Sequence, residues 1–220
     1  VNLEIVSTAR YLIKEIGRQL GIMPASISPF YAAISCGKIG RKMTVAAINL
    51  RGDTYNSARA LFRTAITNNV GPLIIEISKE EMDYTFQSPA EYAAIITAAA
   101  IREKFKGCLF LQGDHFKIDA TKYWENPDDE CRVLEELIQA SVAVGFGHID
   151  IDASTLEYQG EKKLCFEERV KENVEATALL INFIRHIEII KKLPFKITIG
   201  SELGEIGKKN TTIEEYKAYM

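Results

Sequence analysis

Short apolar runs alternate along this chain with longer stretches whose apolar positions recur every three to four residues. Residues 43–50 (MTVAAINL) form the first run, rich in β-formers and followed by Gly52 and Asp53, a turn and N-cap signal. From 54 to 69, Ala58, Leu61, Phe62, Ala65 and Ile66 fall at helical spacing, and Gly71-Pro72 ends the pattern. The succession then repeats. Strands are predicted over 73–78 (LIIEIS), 108–112 (CLFLQ), 148–152 (HIDID) and 195–199 (FKITI). Between them the spacing predicts helices from Ser88-Pro89 to about 104, over 128–144 and over 166–192, with a last helix opened by Thr211-Thr212. Ahead of the first strand, 5–20 reads as a helix and 21–40 as a looser segment.

Five βα units in strict alternation imply parallel strands joined by right-handed crossovers. An open doubly wound sheet and a closed (β/α)8 barrel both use that pattern. The nucleotide-binding form of the open sheet carries a glycine-rich turn after its first strand, whereas Asn49-Leu50-Arg51-Gly52-Asp53 has one glycine. Polar residues instead collect at the C-terminal ends of strands: Asn49, Ser78, Asp114-His115, Asp152 with Ser154, and Ser201-Glu202. Barrel enzymes build their active sites there, so the expected fold is α/β, a (β/α)8 TIM barrel. At about 36 residues per unit, eight units need roughly 285 residues, so only about the first five are expected in this chain. The expected organisation is an N-terminal helical cap over residues 1–42 and a partial barrel over 43–220, truncated at its C-terminus. An opening on Val1 and an end at Met220 inside a helical pattern agree with that expectation. The open edge left on the fifth strand points to a homo-oligomer.

The 27 basic and 30 acidic side chains leave a formal charge of −3, which offers no electrostatic basis for binding nucleic acid or an anionic membrane surface. The longest strongly apolar stretch, 93–101, is far short of the roughly 20 residues of a membrane span. Near the start, Glu4, Arg10, Lys14 and Glu15 interrupt every apolar run, so no secretory segment is read. The four cysteines show no CxxC pair, which fits reduced thiols in a cytoplasmic protein.

Candidate chemistry sits on three strand ends. Asp114-His115 places a proton carrier beside a metal ligand, since imidazole suits zinc and a neighbouring carboxylate can move protons on a polarised substrate. A strand-end Asp that caps the next helix beside a hydrogen-bonded His is the alternative. Asp150 and Asp152 share a face of their strand, and carboxylates there must be paired, hydrogen-bonded or on a cation if buried. Glu202 ends the fifth strand and is followed by Gly204 and Gly207, which let the backbone turn and approach a ligand.

Together these motifs resemble the class II, metal-dependent fructose- and tagatose-bisphosphate aldolases. In that family an Asp-His pair ends strand three, an Ile-Asp-x-Ser segment strand four and a Glu-Leu-Gly segment strand five. Here they are Asp114-His115, Ile151-Asp152-Ala153-Ser154 and Glu202-Leu203-Gly204, with Ala47-Ile48-Asn49 and Ile77-Ser78 at the earlier strand ends. The resemblance implies cleavage of a phosphorylated ketose to dihydroxyacetone phosphate and an aldehyde, with a divalent metal, Zn2+ first among candidates. It implies that Asp114 is the proton carrier and His115 a metal ligand. By the same resemblance Asp152 and Glu202 match a second cation position, and Asn49 and Ser78 the substrate side.

The chain also departs from that pattern. Where the family often carries Gly-Gly-x-Glu-Asp, residues 206–210 read Ile-Gly-Lys-Lys-Asn. His148 and His186, besides His115 the only histidines, read as structural rather than as the family's later ligands. The alternatives are therefore a non-catalytic aldolase-like subunit, or a sugar epimerase or isomerase using the same metal-enolate site. Lys196 as a Schiff-base lysine and Tyr123-Trp124 as a sugar platform are weaker candidates, and Arg59 with Arg63 could form a subunit contact.

Overall fold

A computed structural model describes residues 2–158, 164–204 and 210–220. Along the chain run α1 (Leu3–Gln19), β1 (Ile22–Pro24), α2 (Ser28–Ser35), β2 (Ala46–Asn49), α3 (Thr54–Thr67) and β3 (Leu73–Ser78). They are followed by α4 (Lys79–Thr85), α5 (Pro89–Arg102), β4 (Gly107–Lys117), α6 (Ala120–Glu125), α7 (Pro127–Val144) and β5 (Phe146–Asp152). A short 3-10 turn (Ser154–Leu156), α8 (Phe166–Ile190), β6 (Thr198–Ser201) and α9 (Ile213–Tyr219) complete the described elements. The anticipated alternation is present, with additions. The segment read as loose contains β1 and α2, α4 follows β3 directly, and α6 lies between β4 and α7. β4 is also longer than expected and carries Asp114 and His115 within the strand rather than beyond it.

The expected (β/α)8 TIM barrel is not what forms. The described strands make one six-stranded sheet in the order β2-β3-β4-β5-β6, with β1 paired to β4 off that path. The path has two ends, β2 and β6, where a barrel would join first strand to last. Every pairing with a defined register is parallel: Ile22↔Gly107, Ala46↔Leu73 and Ile74↔Phe110 begin the three ladders. The sequence pattern carries alternation and polar strand ends, which open and closed α/β sheets share. Closure depends on strand tilt and stagger, which hydrophobic periodicity does not encode.

By its contacts the chain divides into two compact units. The first holds Val1–Asp114, Ala140–His148 and Phe195–Thr198; the second holds His115–Gln139, Ile149–Pro194 and Ile199–Met220. In the first unit α5 is the central helix, burying Tyr92, Ala93, Ile96, Ala99 and Ala100. This is the apolar 93–101 run, and its small side chains admit close neighbours. A Cβ on Gly17 of α1 would come within 2.7 Å of Thr97 Cγ2 on α5, so that crossing needs glycine. Arg59 and Arg63, which share a face of α3, both grip Glu103, at 2.7 and 3.0 Å. First Arg63 and then Arg59 hold that carboxyl down at about 2. The second unit buries Phe116, Ile118, Leu134, Ile138, Ile149, Ile151, Leu180 and Ile184. There Tyr123 is buried and meets the exposed Trp124 edge-on, anchoring α6.

Candidate functional site

Two polar clusters form at the C-terminal strand ends, one in each unit. In the first unit, register sets Asn49 opposite Glu76 and Ser78 opposite Asp114, so the ends of β2, β3 and β4 come level. The Asn49 amide Nδ2 donates to Asp114 Oδ2 at 3.0 Å and to Glu81 Oε2 at 3.1 Å. Ser78 is the N-cap of α4: its hydroxyl accepts from the Glu81 N–H, and Glu81 accepts from the Ser78 N–H, which closes a capping box. Arg51 Nη1 sits 2.6 Å from Glu81 Oε1. Burial works against the Glu81 anion, but the Ser78 N–H, Arg51 and Asn49 outweigh it and hold the carboxyl below its usual range. The two side chains expected on the substrate side, Asn49 and Ser78, thus engage Asp114 and the start of α4.

In the second unit His115, Asp152 and Glu202 come together. His115 Nδ1 lies 2.8 Å from Glu202 Oε1 and 3.4 Å from Asp152 Oδ2. One ligand atom from each falls within 4.8 Å of the other two. The resemblance set His115 and the Asp152–Glu202 pair at separate cation positions, whereas the fold makes them one group. Asp152 is oriented from the other side: its Oδ1 accepts from the Ser154 N–H at 3.1 Å and from the Ser154 hydroxyl at 2.6 Å, and its Oδ2 meets His115. The Asp152 carbonyl accepts from the Ile118 N–H, tying β5 to the end of β4.

Glu202 is held through its backbone. The fully buried Asn173 on α8 donates from Nδ2 to the Glu202 carbonyl at 3.0 Å and to Glu157 Oε1 at 3.1 Å. Glu157 Oε1 in turn accepts from the Gly204 N–H at 2.7 Å. Tyr219 and Thr177 donate to Asn173 Oδ1, which leaves the amide no freedom to turn. His115 carries φ +43°, in the left-handed region that costs a side-chain-bearing residue on the order of 1–3 kcal/mol.

The donor set suits a divalent cation. An imidazole nitrogen and two carboxylate oxygens, each within 4.8 Å of the others, are donors that one divalent cation could take together. Burial, and after it the Asp152 charge, push Glu202 up to about 7, with Asp150 adding to the rise and His115 opposing it. Clustered carboxylates that resist ionisation are relieved by a cation. His, Asp and Glu together are compatible with zinc and with other first-row divalent metals.

The remaining histidines stand apart from this group. His148 is on β5 with its Nδ1 unpartnered among the described residues, and burial depresses it to about 4. His186 is an exposed residue of α8. The Lys208-Lys209 departure lies outside the described residues. Sequence reasoning passed over Glu81, Arg51, Asn173 and Glu157. Glu81 had a legible signal, the Ser78-x-x-Glu81 spacing after a strand. Asn173 and Glu157 had none, because an Asn inside a long amphipathic helix does not announce which carbonyl it will meet.

Comparison with protein-family models finds no match, and comparison with curated proteins finds none. Among solved structures the chain is similar to a probable tagatose 6 phosphate kinase from Sinorhizobium meliloti 1021. The two are 18% identical with a TM-score of 0.51, over 80% of this chain and 43% of that one. The chain therefore spans less than half the length of that protein. At this identity the likeness concerns the fold alone. Among the described residues no helix is long and apolar enough to cross a membrane.

Proposed function

We propose that this chain carries the metal-binding part of an enzyme acting on a phosphorylated ketose, and that its reaction is aldol cleavage to dihydroxyacetone phosphate and an aldehyde. The gathering of His115, Asp152 and Glu202 into one donor group carries the proposal. A divalent cation bound there supplies Lewis-acid polarisation of a substrate carbonyl. The protein's own residues do the rest. Ser154 and Asn173 hold two of the donors in place, so the site is organised before substrate arrives. Asp114, the residue before His115 on β4, accepts the proton from the hydroxyl at the bond that breaks. As the new aldehyde carbonyl forms there, the carbon–carbon bonding electrons pass to the ketone-bearing half, which takes a proton from solvent water before release, while Asp114 returns its own proton to solvent. A sugar phosphate as substrate has further support from the named activity of the structural neighbour.

That same name favours one other reading, phosphoryl transfer to a sugar phosphate, for which a cation held by His115, Asp152 and Glu202 would neutralise phosphate charge. Purified protein with tagatose- and fructose-bisphosphate, assayed for dihydroxyacetone phosphate, separates this from ATP-dependent phosphorylation. His115→Ala is expected to lose metal, by elemental analysis, together with activity. Asp114→Ala is expected to keep its metal and lose on the order of 10²–10⁴ in turnover. Undiminished turnover in Asp114→Ala, or full metal occupancy in His115→Ala, would refute the assignment.

A further inference from the structure

Asp114 is the proton carrier in the proposed reaction, so the placement of its carboxylate matters to the rate. Rotation about the last torsion of an Asp is broad, and a misplacement of about 1 Å in a reacting group can cost on the order of 10²-fold in rate. The first unit contains a side-chain relay that ends on this carboxylate. A carboxylate only accepts, so both contacts of Asn49, at 3.0 Å to Asp114 and 3.1 Å to Glu81, must be donations from its one amide nitrogen. With two acceptors on opposite carboxylates, the amide has a single orientation.

Its anchor is Glu81, 6% exposed, whose Oε2 accepts from both Asn49 and the Ser78 N–H while Oε1 accepts from Arg51 at 2.6 Å. A buried carboxylate beside a second carboxylate-bearing contact is costly unless compensated. Here the compensation comes from Arg51, which is itself well exposed and gives up little hydration. A capping box asks only that the residue accept from the Ser78 N–H; it does not call for the same oxygen to accept from Asn49 as well.

We propose that Glu81, with Arg51 as its counter-charge, is a positioning residue that acts through the Asn49 amide to hold the Asp114 carboxylate for proton transfer. The inference rests on Asp114 being the proton carrier. Glu81→Gln retains an oxygen in the place of Oε2, so Asn49 keeps its acceptor. Glu81→Ala removes it, and Glu81→Asp, one methylene shorter, draws it out of reach.

The test measures kcat and KM for aldol cleavage, metal content, and the side-chain amide signals of Asn49 in 1H–15N spectra. Glu81→Ala is expected to lower kcat on the order of 10–10²-fold with KM and metal content unchanged, and to bring the Asn49 amide signals to solvent-averaged positions. Glu81→Gln is expected within about threefold of wild type, with the Asn49 signals still dispersed. In an Asp114→Ala background, Glu81→Ala should cost no further turnover, which a role confined to capping α4 would not produce. Should Glu81→Ala fail to fold, Glu81→Asp carries the same readouts. Wild-type kcat in Glu81→Ala while Asp114→Ala is impaired overturns this inference alone, as does an equal loss in the Asp114→Ala background. Undiminished turnover in Asp114→Ala overturns the functional assignment and this inference with it.

Discussion

Replacing His148 by leucine should flatten the acid side of the stability curve. His148 stands near the start of β5, Nδ1 unpartnered among the described residues, and burial dominates over the opposing charge of Asp114 to depress it to about 4. In the unfolded chain an imidazole titrates at about 6.5. The folded state therefore resists the proton that the unfolded state takes up. Stability is fully present above about pH 6.5 and is lost as pH falls toward 4. The full effect is worth about 3 kcal/mol, and about 2 kcal/mol of it is gone by pH 5. Urea unfolding followed by far-ultraviolet circular dichroism at pH 7.5 and pH 5.0 measures this. Carboxylates contribute to both proteins and cancel in the difference. The wild type should lose about 2 kcal/mol more than His148→Leu between the two pH values. Equal losses would show that His148 is not held neutral by burial, and the argument fails.

Two further substitutions test how the first unit is packed. At Gly147 a Cβ would stand 2.2 Å from the Ala25 carbonyl oxygen, a backbone atom that cannot move aside. Gly147→Ala should cost at least about 1–3 kcal/mol, and a melting temperature equal to wild type would contradict that approach. The buried Tyr92 hydroxyl donates to the Glu76 carbonyl at 2.7 Å, so Tyr92→Phe should destabilise by about 1–2 kcal/mol with unchanged metal content. A gain in stability from that change would mean the hydroxyl is not bonded as described.

Much of this protein was legible in its hydrophobic pattern. Period-two and period-3.6 runs located β3 at 73–78, with β2, β4 and β5 near their places, and helices α1, α3, α5, α7 and α8 within a few residues. β3, β4, β5, α3, α5 and α8 bury enough apolar side chains to be specified locally, whereas β2 buries none and α1 only Gly17. β6 begins three residues and ends two residues later than expected, and β1, only three residues long, was missed because so short a segment has no period. The strand-end positions of Asn49, Ser78, Asp114, His115, Asp152 and Glu202 were legible too, because polar residues closing apolar strands are conspicuous.

What joins them was not. Whether a parallel sheet stays open or closes is decided by tilt and stagger between strands, so the barrel expected from alternation gave way to a six-stranded sheet with two ends. That His115, separated from Asp152 by 36 residues and from Glu202 by 86, shares one donor group with both depends on where β4, β5 and β6 finish in space. Asn173 reaching the Glu202 carbonyl, and Glu81 reaching Asp114 through Asn49, are likewise products of packing. Periodicity records which face of an element is buried. It holds no record of which partner across the fold will satisfy a buried polar group, because that pairing exists only once the elements have docked.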